Sequence, residues 1–446
     1  MLPGVGRPFG SAAKVPMEPN SVGRSLSKKR SSRATASIQS LDSNILSMIF
    51  AFLDHFDLAR SSVVCKYWNI VIHTSNLWKV QYYKQQRDSI GRLNMSSCSE
   101  TSLKMYLEEL AMEHHRMSLQ EGAIDIDQWK GHSVGVDQCR MKMGLILTGV
   151  GDKVMRLWSS ESYKCLEEYS VPDRLPLVDF DFDESKIVGL IGTRVCIWRR
   201  HGKRSIFPSH EGTFTRGLCM RYVDPEAVVG CDDGTARVFD MYSRKCSRII
   251  RMRTGPITCL SLTDDQLILS GSSLGNITIS GLSSDQRVAS LKSTGSAGIR
   301  TLCFNPRSHL VFAGSTAGYA HCWDLRTMKA LWETRVSPNV VYSVQHLRSD
   351  KSALIVGGID GVLRILNQNT GELLSSCVMY EGSTVASSEN RYGVIEKKKV
   401  RRISEDTRID SIPKHSRPPI TSLAVGMRKV VTTHNGKFIR MWKFHK

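Results

Sequence analysis

The sequence predicts a mainly β chain: a seven-bladed β-propeller preceded by a small three-helix module and a helical spacer. Three observations predict it. A unit of about 40 residues recurs seven times, and a fixed period of this size means a repeat architecture. Each copy joins a glycine-containing turn, an alternating strand and a large apolar anchor. The sharpest copy spans 318–326, where Trp323-Asp324 is the cue for blades of four strands. Upstream, residues 38–84 change to a helical period.

With 446 residues the chain has room for more than one domain, and 41% hydrophobic residues suits a globular protein. The net charge of +19 favours acidic partners such as phosphate groups, acidic peptides or nucleic acid; the other reading is a basic, soluble surface. The twelve cysteines form no Cys-x-x-Cys pair, and the N-terminus lacks an apolar signal core. This points to reduced thiols in the nucleus and/or cytoplasm, without a disulfide framework or zinc site. Cys219, Cys259 and Cys303 sit in strand starts, where cysteine behaves as a small buried hydrophobe. No apolar run approaches the roughly 18 residues of a membrane span.

Residues 1–37 are rich in Gly, Pro, Ser, Lys and Arg and lack periodicity, so a disordered basic tail is expected. Within it Lys28-Lys29-Arg30 is either a nuclear-import element or part of a solvated tail. In 38–84, Asp42 can cap a helix whose Ile45, Leu46, Ile49 and Leu53 make one apolar face. Asp57 can cap a second helix, and a third runs from about Cys65 through Trp68 to Ile72, with Leu77-Trp78 closing the module. So short a module has a thin core, and part of its apolar surface is expected to serve as an interface.

Leu41, Ile45-Leu46, Ile49-Phe50, Leu53, Asp57-Leu58, Val64-Cys65-Lys66, Trp68 and Leu77-Trp78 together resemble an F-box. The family usually has proline after the first leucine, where this chain has Asp42. Proline suits the first turn and aspartate the N-cap, so helix entry survives while the ring's contact is lost. The resemblance implies docking on the Skp adaptor of a cullin-RING ubiquitin ligase. It assigns that docking to Leu41, Ile45, Leu46, Ile49, Phe50, Leu53, Leu58, Val64, Cys65 and Trp68, several of which also serve to hold the helices together.

Residues 85–121 read as a polar loop followed by a helix over about 100–120, with Leu103, Leu107, Leu110 and Met117 on one face. It is a semi-rigid spacer between the module and the propeller.

The propeller is expected over 122–446. Its anchors are Trp158, Trp198, Phe239, Ile279, Trp323, Leu366 and Trp442, preceded by turn glycines Gly151, Gly192, Gly234, Gly275, Gly318, Gly361 and Gly436. A second marker, the residue after the first apolar position of each opening strand, falls on Asp137, Val178, Arg216, Thr258, Arg300, Tyr342 and Thr421. The last unit has room for about three strands, so 123–129 is expected to complete the last blade and close the ring. Residues 381–418, rich in Ser and charge and carrying the run 397–402, read as a loop insertion between the last two blades. That run is either a nuclear or nucleic-acid patch or a solvated loop.

No catalytic, phosphate-loop, dinucleotide or metal-binding motif is present, and no cofactor is expected. The chemistry is that of binding. Arg216, Arg300 and Tyr342 are placed near the channel, where two guanidiniums can hold a phosphate or carboxylate bidentately; the other reading pairs them with acids such as Asp137. F-box propellers read phosphorylated peptides with arginines at such positions, so the resemblance to F-box proteins with a WD-repeat propeller implies a protein substrate, phosphorylated or acidic. It implies a non-catalytic, substrate-recruiting subunit of a Skp–cullin–F-box ligase. Two other readings stay open. One is a scaffold binding acidic protein or nucleic acid. The other is a receptor for the damaged-DNA-binding adaptor of a different cullin ligase: Trp323, Asp324 and Arg326 are similar to its Trp-Asp-x-Arg box, and in the plain alternative Asp324 and Arg326 bond locally.

Overall fold

The computed structural model describes residues 38, 41–81, 100–149, 153–171, 176–200, 205–206, 216–284, 286–293, 295–390, 393–404 and 409–445. The expected basic tail with Lys28–Arg30, the polar loop and Gly151 lie outside them. The chain divides into two compact units, Met1–Leu103 and Lys104–Lys446.

The first unit is a knot of short helices. Helix α1 spans Ser43–Phe50, with Asp42 in extended conformation at its N-cap and its carboxylate accepting from the Asn44 N–H at 3.2 Å. Helix α2 spans His55–Ser62. Its cap is not Asp57: the Asp54 carboxylate accepts from the Asp57 N–H at 2.8 Å, and Asp57, one turn in, accepts from Arg60. The chain turns sharply after α1, so the cap falls three residues earlier than the spacing suggested. Helix α3 spans Lys66–Thr74, capped by the Cys65 sulfur, which accepts from the Trp68 N–H at 3.5 Å. Leu46, Phe50, Leu58, Val71, Ile72, Leu77 and Trp78 make the core, and Phe50 meets Trp68 edge-on at 5.2 Å.

The second unit is a seven-bladed β-propeller. Among the described residues five sheets have four strands each, and a sixth has nine. The nine-stranded sheet contains two blades. Strands Val341–Gln345, Ala353–Gly358, Leu363–Asn367 and Leu373–Asn390 make the sixth. Ser422–Gly426, Lys429–Thr433, Phe438–Phe444 and the first strand of the unit, Ile124–Lys130, make the seventh. The first strand pairs with the last from Ile124↔Phe444 to Lys130↔Phe438, so the two ends of the propeller sequence close the ring.

All seven anchors lie buried in the third strands of their blades. The glycines at 192, 234, 275, 318 and 361 have positive φ, which only glycine adopts without steric cost; in the seventh blade Asn435 takes that role. Two blades carry a side-chain relay. Trp158 Nε1 donates to Thr148 Oγ1, which meets His132 Nε2 at 2.8 Å. Trp442 Nε1 donates to Thr432 Oγ1, which meets His434 Nε2 at 2.7 Å.

Where a loop is expected over 381–418, the chain continues in strands as far as Arg402. Leu373–Asn390 and Gly393–Arg402 form an antiparallel hairpin, and its second strand also pairs with Ile124–Lys130 through Glu396↔Gln128 to Lys399↔Asp125. The two-sided ladder offsets the cost of ordering a charged stretch. Exposure alternates along it: Lys397, Lys399 and Arg401 face solvent, Val400 packs on the core around Trp442, and Lys398 pairs with Glu396.

Candidate functional site

The first candidate surface is on the helical module. The single apolar stripe expected on α1 is two faces. Leu46 and Phe50 turn inward, whereas Ile45, Met48 and Ile49 are exposed and Phe52 is 90% exposed. Val63, Val64, Tyr67 and Ile70, in the turn before α3 and on α3 itself, are exposed as well. Of the ten residues assigned by resemblance, Leu46, Phe50 and Leu58 are buried in the module's own core. Ile45, Ile49 and Val64 are exposed, and Leu41, Leu53, Cys65 and Trp68 are half-buried. Met48 and Phe52 were absent from that assignment, because a segment apolar on both sides reads as one broad stripe; the exposed Val63 and Ile70 lie outside it. So many exposed apolar residues on so small a unit point to an interaction site.

The second surface is the end of the propeller where the innermost strands begin. Register places Asp137, Val178, Thr258, Arg300, Tyr342 and Thr421 at one ring of equivalent positions. Arg216 is not among them; Leu218 is. The Arg216 carbonyl accepts from Asp232 N–H as those of Pro256, Gly298 and Val340 accept from theirs, which sets Arg216 two residues ahead of the position held by Arg300. Gly217 stands where the other strands open with a branched or bulky apolar residue, and this hid the register. Arg300 and Tyr342 do come together, the guanidinium lying 6.0 Å from the ring centroid. Burial pushes the Asp137 carboxyl above its ordinary range, and the Arg300 charge opposes that rise.

Around this ring the same end of the propeller exposes Lys153, Arg216, Arg253, Arg335, Lys414 and Lys437, contributed by turns and strand ends of several blades. The Arg335 guanidinium donates to the Pro338 carbonyl. The overall positive charge is thus gathered in part on one face, and such a field attracts anionic ligands.

The channel beyond is different. It opens toward the other end into a cavity of about 920 Å³ lined by Arg140, Lys142 and Arg221 among others. Those cations already have partners. Asp179 pairs with Arg140 at 2.9 Å and Arg221 at 3.2 Å, and Asp181 with Lys142 at 2.6 Å. Burial pushes Asp181 up, but Lys142, Arg221 and Arg140 outweigh it and hold the carboxyl below its ordinary range. Each of these three cations is thus engaged by a carboxylate within the channel.

That other end also receives the spacer helix, Glu100–Gln120. His115 Nδ1 accepts from the Arg428 N–H at 2.9 Å, and Leu119 is buried in the core cluster shared by the sixth and seventh blades. Glu108 lies 3.9 Å from Arg307. Arg428 and Arg307 sit in turns at the far ends of innermost strands, so the helix occupies the end opposite Arg300 and Tyr342.

Trp323 is buried as a blade anchor, while Arg326 is 65% exposed and grips Asp324 through Nε at 3.1 Å and Nη2 at 2.8 Å. Asp324 is held low first by that bond. None of the eleven described cysteines is joined to another in a disulfide, and among the described residues no group of three His, Cys, Asp or Glu could hold a metal ion.

A three-helix module with exposed apolar residues, joined by a helix to a seven-bladed propeller, defines a class of protein by its architecture. Comparison with known proteins agrees. A family model described as F-box-like matches residues 40–84, and one described as WD domain, G-beta repeat matches residues 285–324. The F-box/WD-40 repeat-containing protein At3g52030 of Arabidopsis thaliana is 54% identical over 443 residues, covering 94% of this chain and 98% of the relative. The chain belongs to the F-box/WD-repeat family.

Proposed function

We propose that this chain recruits protein substrates to a Skp–cullin–F-box ubiquitin ligase. Its F-box docks on the Skp adaptor through Ile45, Met48, Ile49, Phe52 and Val64. The basic end of the propeller receives a phosphorylated or acidic segment of the substrate, with Arg300 and Tyr342 at its centre. The chain contributes no catalytic group; it acts by holding the substrate near the transfer enzyme, which raises effective concentration. It works in the nucleus and/or cytoplasm. The observation that carries this reading is the apolar surface on a module whose own core is already closed by Leu46, Phe50, Leu58 and Ile72.

Co-purification of the full chain with the Skp adaptor tests it, beside an Ile49→Asp, Phe52→Asp double variant. Both residues are exposed, so the variant is expected to fold and to lose the adaptor. An intact chain that fails to bind, or a double variant that binds as well as the parent, would sink the ligase reading. Exposure of Arg326 keeps the second adaptor reading testable in the same format: binding to the damaged-DNA-binding adaptor, lost in Arg326→Ala, would replace the first.

A further inference from the structure

The last turn of the spacer helix is held to the propeller by the buried Leu119 side chain and by hydrogen bonds from one arginine. Arg402 ends the second hairpin strand. Its two Nη atoms each donate to the Leu119 carbonyl at 3.1 Å, Nη2 also donates to the Gly122 carbonyl at 2.8 Å, and Nη1 also meets Ser375 Oγ. The guanidinium is half-buried and is met by neutral acceptors at the C-terminal end of a helix, where a cation is favoured. The ladder stops just beyond: the Ile403 N–H donates to the Ser376 carbonyl at 2.8 Å, and exposed Ser404 follows.

The sequence here reads Arg401-Arg402-Ile403-Ser404. Arg401 is exposed and stands three residues before an exposed serine at the end of a strand. Serine kinases select substrates by charge pattern, and an arginine at that spacing is read by acidic groups flanking a kinase's catalytic aspartate. Ser404 lies at most about 7 Å along the chain from Arg402, within reach of a guanidinium.

We propose that Ser404 is the acceptor for an arginine-directed, ATP-dependent serine kinase, and that its phosphate draws Arg402 off the Leu119 and Gly122 carbonyls and loosens the spacer helix. In the transfer, Ser404 Oγ forms a bond to the γ-phosphorus of ATP. The bond from that phosphorus to the bridging oxygen breaks, ADP leaves with the electron pair, and the hydroxyl proton passes to the kinase's aspartate. The product carries nearly two negative charges and three strong acceptors beside Arg401 and Arg402. The guanidinium is charged in both arrangements, but the phosphate adds an opposite formal charge that the Leu119 and Gly122 carbonyls lack, and this Coulomb attraction favours the exchange. The device does not depend on what the F-box binds.

The test uses the full chain, Mg-ATP and a serine kinase that requires arginine three residues before its target. Mass spectrometry locates the phosphate, and amide hydrogen exchange reads residues 115–122. Phosphate is expected on Ser404, none at that peptide in Ser404→Ala, and a rate lowered about tenfold or more in Arg401→Ala, the loss of one charge-assisted bond. Exchange at 115–122 is expected to quicken several-fold on phosphorylation. In Arg402→Gln it should be fast beforehand and unchanged by the kinase; Arg402→Lys serves if that variant does not fold. A folded chain left unmodified at Ser404, while a 398–409 peptide is modified, overturns the acceptor. Phosphorylated Ser404 with unaltered exchange at 115–122 overturns the release.

Discussion

His115 shows how much one side chain's surroundings decide. Its Nδ1 accepts from the Arg428 N–H, and its Nε2 is buried without a partner. Burial pushes the imidazole down to about 4; Asp350 pulls against that shift, while Arg428, Arg116 and His114 add to it. The unfolded chain has an ordinary histidine there, near 6.5. Above that pH both states are neutral and the contribution to stability is whole. As pH falls from 6.5 toward 4 the unfolded chain takes up a proton that the folded chain refuses, so stability is lost across that window, by about 3 kcal/mol at most. Thermal melts between pH 7 and 5 check this. His115→Asn keeps an acceptor for Arg428 without a titrating group and is expected to show a smaller acid loss than the parent; an equal loss would place the acid sensitivity elsewhere. His434, held well below its ordinary value by burial, leaves a residual loss of the same sign in both proteins.

At the scale of elements, α1 and the turn after it place a core residue and an exposed apolar one within three residues. Phe50 is 2% exposed and packs edge-on against Trp68, whereas Phe52 is 90% exposed. Phe50→Ala is expected to cost about 3–5 kcal/mol, enough to unfold so thin a module. Phe52→Ala is expected to stay within about 0.5 kcal/mol of the parent while weakening adaptor binding. Chemical denaturation followed by circular dichroism, alongside co-purification, reads the two apart, and similar stability losses in both would mean Phe52 belongs to the core. The same helix shows what was legible. Asp42 and the apolar spacing gave its start and period, but a pattern counts apolar residues and does not say which side meets the core. The blade anchors were plain because a large apolar residue every 40 or so positions has no other use. The seventh-blade relay was hidden because His434 lies two residues after Thr432 along the chain, whereas His132 lies 16 residues before Thr148 in the first blade. The run 397–402 misled for a physical reason. Lysine and arginine stems lie along a sheet while their heads reach water, so a paired strand can look like a solvated loop.

The whole propeller depends on its ends meeting. Ile124–Lys130 runs beside Phe438–Phe444 for seven residue pairs, and its other edge is taken by Gly393–Arg402, so the strand that closes the ring is interior to a nine-stranded sheet. Ile126, Trp442 and Phe444 share one core cluster with Leu119 of the spacer helix and with Ile355 and Ile365 of the sixth blade. Loss of this strand therefore strips two ladders and opens a core spanning two blades, leaving unpaired edges where none stood. Deleting 123–130, or truncating at Lys443 and so removing Phe444, is expected to lower the melting temperature of the entire ring in one cooperative transition. Loss of the seventh blade alone would instead leave a high-melting remainder. Differential scanning calorimetry distinguishes these: a single lowered peak supports closure by the two ends. Two resolved peaks, or a truncated chain that melts like the intact one, would mean that each blade is held mainly by its neighbours and that the meeting of the ends adds little.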